Sequence, residues 1–226
     1  MASCVTFDAG QTLVELDLDF LARRLGERGV PMSGDRLRAA APAAWTRFDA
    51  AIALGSGHPW RLLISGLLVG AGVGEADAAP LVEWLHGEQP RRNLWRAPIP
   101  GMIALAGELA ARGVAVGVVS NSEGRLAELL AELGLAAPFR CVIDSGRLGI
   151  EKPDPRIFDA AIDALGLPPG STGIHIGDSW KADVEGALAA GWRAIWYGAG
   201  VHDVADPRVA AARNADEVRA VLARWT

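Results

Sequence analysis

Val5-Thr6-Phe7-Asp8-Ala9-Gly10-Gln11-Thr12-Leu13 decides how the rest of the chain is read. A short apolar strand carries Asp8 into a tight turn, which suits an exposed carboxylate that attacks an electrophile. An acid two positions further on could protonate a leaving group. That position is Gly10. The turn therefore offers a nucleophile without the usual partner.

Outward from this turn, the residues beyond about Leu94 alternate regularly. Helical patterns over residues 100–112, 123–133, 155–165, 180–190 and 216–224 are interleaved with apolar strands over 114–119, 140–143, 173–176 and 193–197, the last read as the final core strand. Proline opens the helices at 100 and 155, and Gly134 is a stop signal. Ser122 reads as the N-cap of the helix that follows it. Strands alternating with helices of this length predict an α/β fold, a doubly wound Rossmann-like parallel sheet covered on both faces.

Residues 15–97 break the rhythm. They hold no convincing strand and read as helices over 18–28, 34–54, 59–70 and 75–87. Trp45, Trp60, Trp84 and Trp95 lie in or beside these helices, where their rings are expected to fill the core of a small bundle. The expected organisation is a discontinuous core of residues 1–14 and 98–226, with residues 15–97 inserted as an all-helical cap over the strand ends.

Composition sets the outer limits. The 226 residues are half apolar and 22% charged, which is enough to bury a sizeable core. A formal net charge of -5 gives no electrostatic reason to expect nucleic acid or an anionic membrane as partner. Asp8 and Asp17 arrive too early for a signal peptide, and the apolar run 62–73 is too short to span a bilayer. Cys4 and Cys141, outside any metal-ligand spacing, read as buried reduced thiols, consistent with a cytoplasmic protein. Lys152 and Lys181 are the only lysines. Oligomeric state is not legible.

Four segments lie at or just past the carboxyl end of a predicted parallel strand, where open α/β sheets bind ligands. They are Asp8; Ser120-Asn121-Ser122; Glu151-Lys152-Pro153-Asp154-Pro155; and Gly177-Asp178-Ser179-Trp180-Lys181-Ala182-Asp183. Each has a plain structural reading alone: a turn aspartate, a helix cap, a solvated lysine, a surface acid. Asp154, between two prolines, reads as structural. His58, His86, His175 and His202 form no ligand spacing, and His175 reads as a packed or rim histidine.

Together, and in this order, the four segments resemble the haloacid dehalogenase (HAD) superfamily of hydrolases, in the form that carries a helical cap after its first motif. Asp8, Thr12 and Leu13 match the first motif, Ser120 the second, Lys152 before Pro-Asp-Pro the third, and Gly177, Asp178, Asp183, Gly186 and Ala187 the fourth. The resemblance implies Mg²⁺-dependent phosphatase chemistry on a small phosphorylated substrate, with Asp8 as the nucleophile that becomes an aspartyl-phosphate. It implies Asp8, Asp178 and the Gly10 backbone carbonyl as metal ligands, with Asp183 at the same site directly or through water. Lys152 would neutralise charge, and Ser120 with Asn121 and nearby backbone N–H groups would hold the phosphoryl oxygens.

Gly10 departs from the pattern, since the family's phosphatases normally place a second Asp there. Acid-free relatives expel halide without the metal-binding Gly-Asp, which this chain keeps, or form a Schiff base on a cap lysine, which it lacks. A phosphatase restricted to leaving groups that need little protonation, such as acyl or aryl phosphates, or one supplied with a proton by Gln11, Glu15 or His58, stands first. A weak or inactive metal- or ligand-binding relative stands second, and a 2-haloacid dehalogenase third.

Overall fold

The computed structural model describes residues 3–54, 59–198 and 204–225. Its backbone divides into two compact units, residues 1–16 with 95–226, and residues 17–94.

The first unit is built on a six-stranded sheet. Its strands are β1 (Cys4–Phe7), β4 (Ala115–Ser120), β5 (Cys141–Asp144), β6 (Gly173–Gly177), β7 (Arg193–Tyr197) and β8 (Val209–Ala212), in the order β5-β4-β1-β6-β7-β8. Every pairing is parallel, so all the strand ends that carry the four segments share one edge. Strand alternation sends Val5, Phe7, Val116, Val118, Ile174 and Ile176 to one face, where they pack on α5 (Pro100–Ala111), α6 (Leu126–Glu132) and α10 (Ala215–Trp225). Cys4, Ala115 and Val119 pack on the other face with Ile157, Phe158 and Ile162 of α8 (Arg156–Ala164) and with Trp192. This is the doubly wound α/β fold. Because β1 lies between β4 and β6, with the chain going first one way and then the other, Asp8 follows the strand at the switch point.

The second unit holds α1 (Leu18–Gly26), α2 (Gly34–Ala53), α3 (Trp60–Gly70) and α4 (Glu75–Glu88). Asp17 caps α1 by accepting from the Phe20 N–H at 2.7 Å. Arg24, almost fully buried, ties α1 to α4 through Glu88 at 3.4 Å and packs its guanidinium 4.5 Å from the Trp84 ring centre. Among the four tryptophans expected in the bundle core, Trp60 is buried there, while Trp45 packs edge-on against Phe48 and Trp84 takes cationic partners. Trp95 belongs to the α/β unit instead.

The sequence pattern missed three strands. β2 (Val14–Leu16) and β3 (Trp95–Pro98) pair antiparallel where the reading had only helices and linker. They are too short to show a period, and Pro98 hides the second. β8 has the composition Val-Ala-Ala-Ala, which carries no strand preference; pairing with β7 makes it one. No helix among the described residues is long and apolar enough to cross a membrane.

Candidate active site

Asp8 leaves β1 with its own N–H bonded to the Ile176 carbonyl at 2.8 Å, which fixes it between β4 and β6. The Lys152 ammonium meets it, donating to Asp8 Oδ1 at 2.7 Å, to Asp183 Oδ1 at 2.5 Å and to the Val119 carbonyl at 2.8 Å. Lys152 is held from behind by Asn121, whose amide accepts from the Lys152 N–H at 2.8 Å and donates to its carbonyl at 3.0 Å. The Asn121 side chain is thus committed to placing the lysine. Ser120, buried, ends β4 in register with Asp144.

The fourth segment folds back onto this pair through a π-helical turn, Trp180–Glu185, in place of the start of the regular helix expected at 180–190. The Asp183 and Val184 N–H groups both reach the Ser179 carbonyl, at 2.9 and 3.3 Å. The widened turn aims the Asp183 carboxylate inward, where it accepts from Lys152, from His175 Nε2 at 3.0 Å and from the Ser179 N–H at 2.8 Å. The carboxylate lies against Gly177. A Cβ there would stand 2.3 Å from Asp183 Cγ, so only glycine leaves room for it.

Electrostatics follow from this packing. Burial is the largest influence on Asp183 and would raise its pKa, yet Lys152 and His175 together hold it below the ordinary carboxylate range. Burial would lower Lys152, but Asp183 and Asp8 keep it raised and charged. Asp8 ends above its usual value because burial outweighs the help from Lys152. Asp178 is also raised, first by desolvation in its crevice and then by Asp183 and Asp8, although the residue itself reaches solvent.

Carboxylate oxygens of Asp8, Asp178 and Asp183 all lie within 4.8 Å of one another. Three carboxylates facing one ammonium leave a surplus of negative charge, and every donor is a hard oxygen. That donor set suits a divalent cation such as Mg²⁺. Asp183 already accepts from three donors, so Asp8 and Asp178 are the carboxylates with oxygens to spare.

Three supporting roles escaped the sequence reading. His175, expected as a packed or rim histidine, is fully buried and braces Asp183. With Nε2 donating to the carboxylate, its Nδ1 accepts from the Thr6 hydroxyl at 2.9 Å. Asp144 takes the capping role expected of Ser122. Its carboxylate accepts from the N–H groups of Gly124, Leu126 and Gly146 at 2.9, 2.9 and 3.0 Å, while Ser122 bonds through its own N–H to Ser145 Oγ. Trp196 donates its indole N–H to the Asp178 carbonyl at 2.8 Å. All three act across strands, so no local spacing announces them. Asp154 pairs with Arg156 and accepts its N–H, which lowers its carboxyl to about 2.

Gly10 has an ordinary backbone conformation and forms a bridge with Val14, whereas Gln11 takes the left-handed region at φ 52°. Glu15 is exposed on β2 and its charge is felt by Tyr197, and His58 lies outside the described residues. Neither Gln11 nor Glu15 is bonded to Asp8 among the described residues.

A family model described as haloacid dehalogenase-like hydrolase matches residues 3–191. The phosphoserine phosphatase of Thermus thermophilus is 32% identical over 185 residues, covering 80% of this chain and 72% of that protein. The phosphoglycolate phosphatase of Rhodospirillum rubrum is 36% identical over 63% of this chain and 62% of its own. Haloacid dehalogenase-like hydrolase domain-containing protein 3 of Bos taurus is 38% identical over 59% of this chain, which spans only 53% of that relative. Among solved structures, the HAD-hydrolase YfnB of Bacillus subtilis bound to magnesium superposes with a TM-score of 0.72 over 98% of both chains at 21% identity, a likeness of fold. A 2-haloacid dehalogenase from Pseudomonas syringae gives a TM-score of 0.61 at 25% identity over both whole chains. The chain belongs to the haloacid dehalogenase-like hydrolases.

Proposed function

We propose that this hydrolase is a Mg²⁺-dependent phosphatase acting on a small phosphorylated substrate through an aspartyl-phosphate on Asp8. The observation that carries the reading is the convergence of Asp8, Lys152, Asp178 and Asp183 at one sheet edge, with an ammonium 2.7 Å from the nucleophile. The phosphatase relatives from Thermus and Rhodospirillum support it.

Asp8 and Asp178 would hold the metal with the Gly10 carbonyl, and Asp183 would act from behind them by fixing Lys152. Bound Mg²⁺ supplies the positive charge that lets an anionic carboxylate approach an anionic phosphate. Asp8 attacks phosphorus in line with the departing oxygen, and the ester bond breaks. Lys152 stabilises the carboxylate before attack and the phosphoryl charge afterwards. The Ser120 hydroxyl and the backbone beyond β4 hold a phosphoryl oxygen. Water then attacks the acyl-phosphate, releasing phosphate and restoring the carboxylate.

The test is turnover of p-nitrophenyl phosphate and acetyl phosphate with and without Mg²⁺, comparing wild type with Asp8→Asn. Turnover indifferent to both Mg²⁺ and Asp8 would refute the mechanism. Gly10 favours a second reading, a relative that binds metal and phosphate without useful turnover. Mg²⁺-dependent phosphate binding with no product from either substrate would establish it. Chloride release from 2-chloropropionate without metal would instead point to dehalogenation.

A further inference from the structure

The nucleophile has two unlike flanks. On one side Lys152 is tied to Asp8 and Asp183, Asp183 to His175 and Ser179, and His175 to Thr6, while Asp178 stands exposed with its oxygens left for a metal. On the other side stand Gly10 and Trp95. A methyl group placed at Gly10 would sit 3.6 Å from Trp95 Cδ1, 4.0 Å from Trp95 Nε1 and 3.9 Å from Asp8 Oδ2. The pyrrole edge of a half-buried indole and the free oxygen of the nucleophile therefore border the same small volume. An indole N–H donates a hydrogen bond but does not give up its proton. Position 10 itself therefore offers no acid, and the atoms nearest to a side chain there belong to an aromatic ring and to the nucleophile.

Two chemical demands follow, from separate observations. With no acid at position 10, a departing oxygen that is a stable anion is favoured. With an indole beside it, the departing group gains from being aromatic. We infer that the preferred substrates are aryl phosphate monoesters, with Trp95 as a specificity-determining residue that borders the phenolic leaving group. The inference rests on the phosphatase reading above. The Asp8 oxygen forms a bond to phosphorus, the phosphorus–aryloxide bond breaks, and its electron pair leaves with the phenolate, which takes a proton only from solvent. One water then cleaves the aspartyl-phosphate, giving phosphate and the original carboxylate with release of a proton.

The experiment measures kcat/KM for substituted phenyl phosphates, alkyl phosphates and acetyl phosphate in wild type, Asp8→Asn, Gly10→Asp, Trp95→Ala and Trp95→Phe. Calorimetry of phenylphosphonate and inorganic phosphate binding is run beside it. Wild-type rates should fall steeply as the phenol becomes more basic. Alkyl phosphates should gain up to about 10²–10⁴-fold in Gly10→Asp, the usual worth of a general acid. There is room for this side chain to start, since its Cβ makes only ordinary contacts. Trp95→Ala should weaken phenylphosphonate about tenfold and leave inorganic phosphate and acetyl phosphate unchanged, and Trp95→Phe should restore it. Alkyl and aryl phosphates turned over equally by wild type, or phenylphosphonate binding indifferent to Trp95→Ala, would overturn the inference. Absence of any Asp8-dependent turnover removes the phosphatase reading and the inference with it. Asp8-dependent turnover at equal rates removes the inference alone.

Discussion

Replacing Lys152 by Met keeps most of the unbranched side chain and removes its charge. In the wild type that ammonium lies 2.7 Å from Asp8 and 2.5 Å from Asp183, with only 2% of its side chain exposed. Removing one partner of a buried ion pair costs about 3–5 kcal/mol because the other charge is left uncompensated. For a chain of this size that corresponds to a fall of about 6–20 °C in Tm. The pH dependence identifies the cause. Asp183 is depressed in the wild type, so it contributes stability that is fully present above the ordinary carboxylate pKa and is lost as pH falls through the folded value. Without the ammonium, burial and mutual repulsion raise the two carboxylates instead. The variant is then penalised at neutral pH and relieved when the pair takes up a proton. Urea unfolding of metal-free wild type and Lys152→Met at about pH 7.5 and about pH 5 measures both terms. The gap in stability should shrink toward acid, and added Mg²⁺ should stabilise the variant more than the wild type. A gap of the same size at both pH values would show that lost packing, and not uncompensated charge, explains the defect.

Other outcomes follow from the same geometry. Gly177→Ala should abolish turnover and cost about 3 kcal/mol or more in urea unfolding, since its Cβ would displace Asp183 and break charge-assisted bonds worth about 1.5–3 kcal/mol each; near-wild-type activity would refute the packing argument. Asp144→Ala, which orphans three backbone N–H groups, should cost about 2–4 kcal/mol and lower activity through the loop after Ser120, whereas Ser122→Ala should change stability by less than about 0.5 kcal/mol. Burial pushes the Cys4 thiol up to about 12 and the Cys141 thiol up to about 11, so near neutral pH Ellman's reagent should label both slowly in native protein and rapidly in urea. Prompt labelling of the folded protein would contradict that burial.

The parallel sheet was legible because each core strand is an apolar run that ends in a polar turn, and burial on both faces leaves such runs unbroken. The candidate residues were legible for a related reason: a strand end is a place where sequence position and spatial position coincide. Asp8, Ser120, Lys152 and Asp178 could therefore be read from four local contexts. What escaped is whatever depends on a distant partner. Asp144 replaces Ser122 as the cap only because β5 lies beside β4. His175 becomes a brace for Asp183 only because a π-turn swings that carboxylate back beneath β6. The Val-Ala-Ala-Ala segment becomes a strand only because β7 offers it an edge. In the same way Trp95, read as filler for a helical bundle, lies beside Gly10 in the other unit.

An ammonium group has three protons, and each of those on Lys152 has an acceptor: Asp8, Asp183 and the Val119 carbonyl. Its valence for hydrogen bonding is full before any substrate arrives. Lys152 therefore acts through its field, as a fixed point of positive potential, and cannot also be the relay that hands a proton to a departing alkoxide. The three acceptors surround the nitrogen, an arrangement a tetrahedral ammonium satisfies and the flat fork of an arginine does not. In a chain that otherwise uses arginine for almost every cation, this one lysine is a geometric requirement, and protein engineers who want to extend the chemistry should leave it alone and work at position 10.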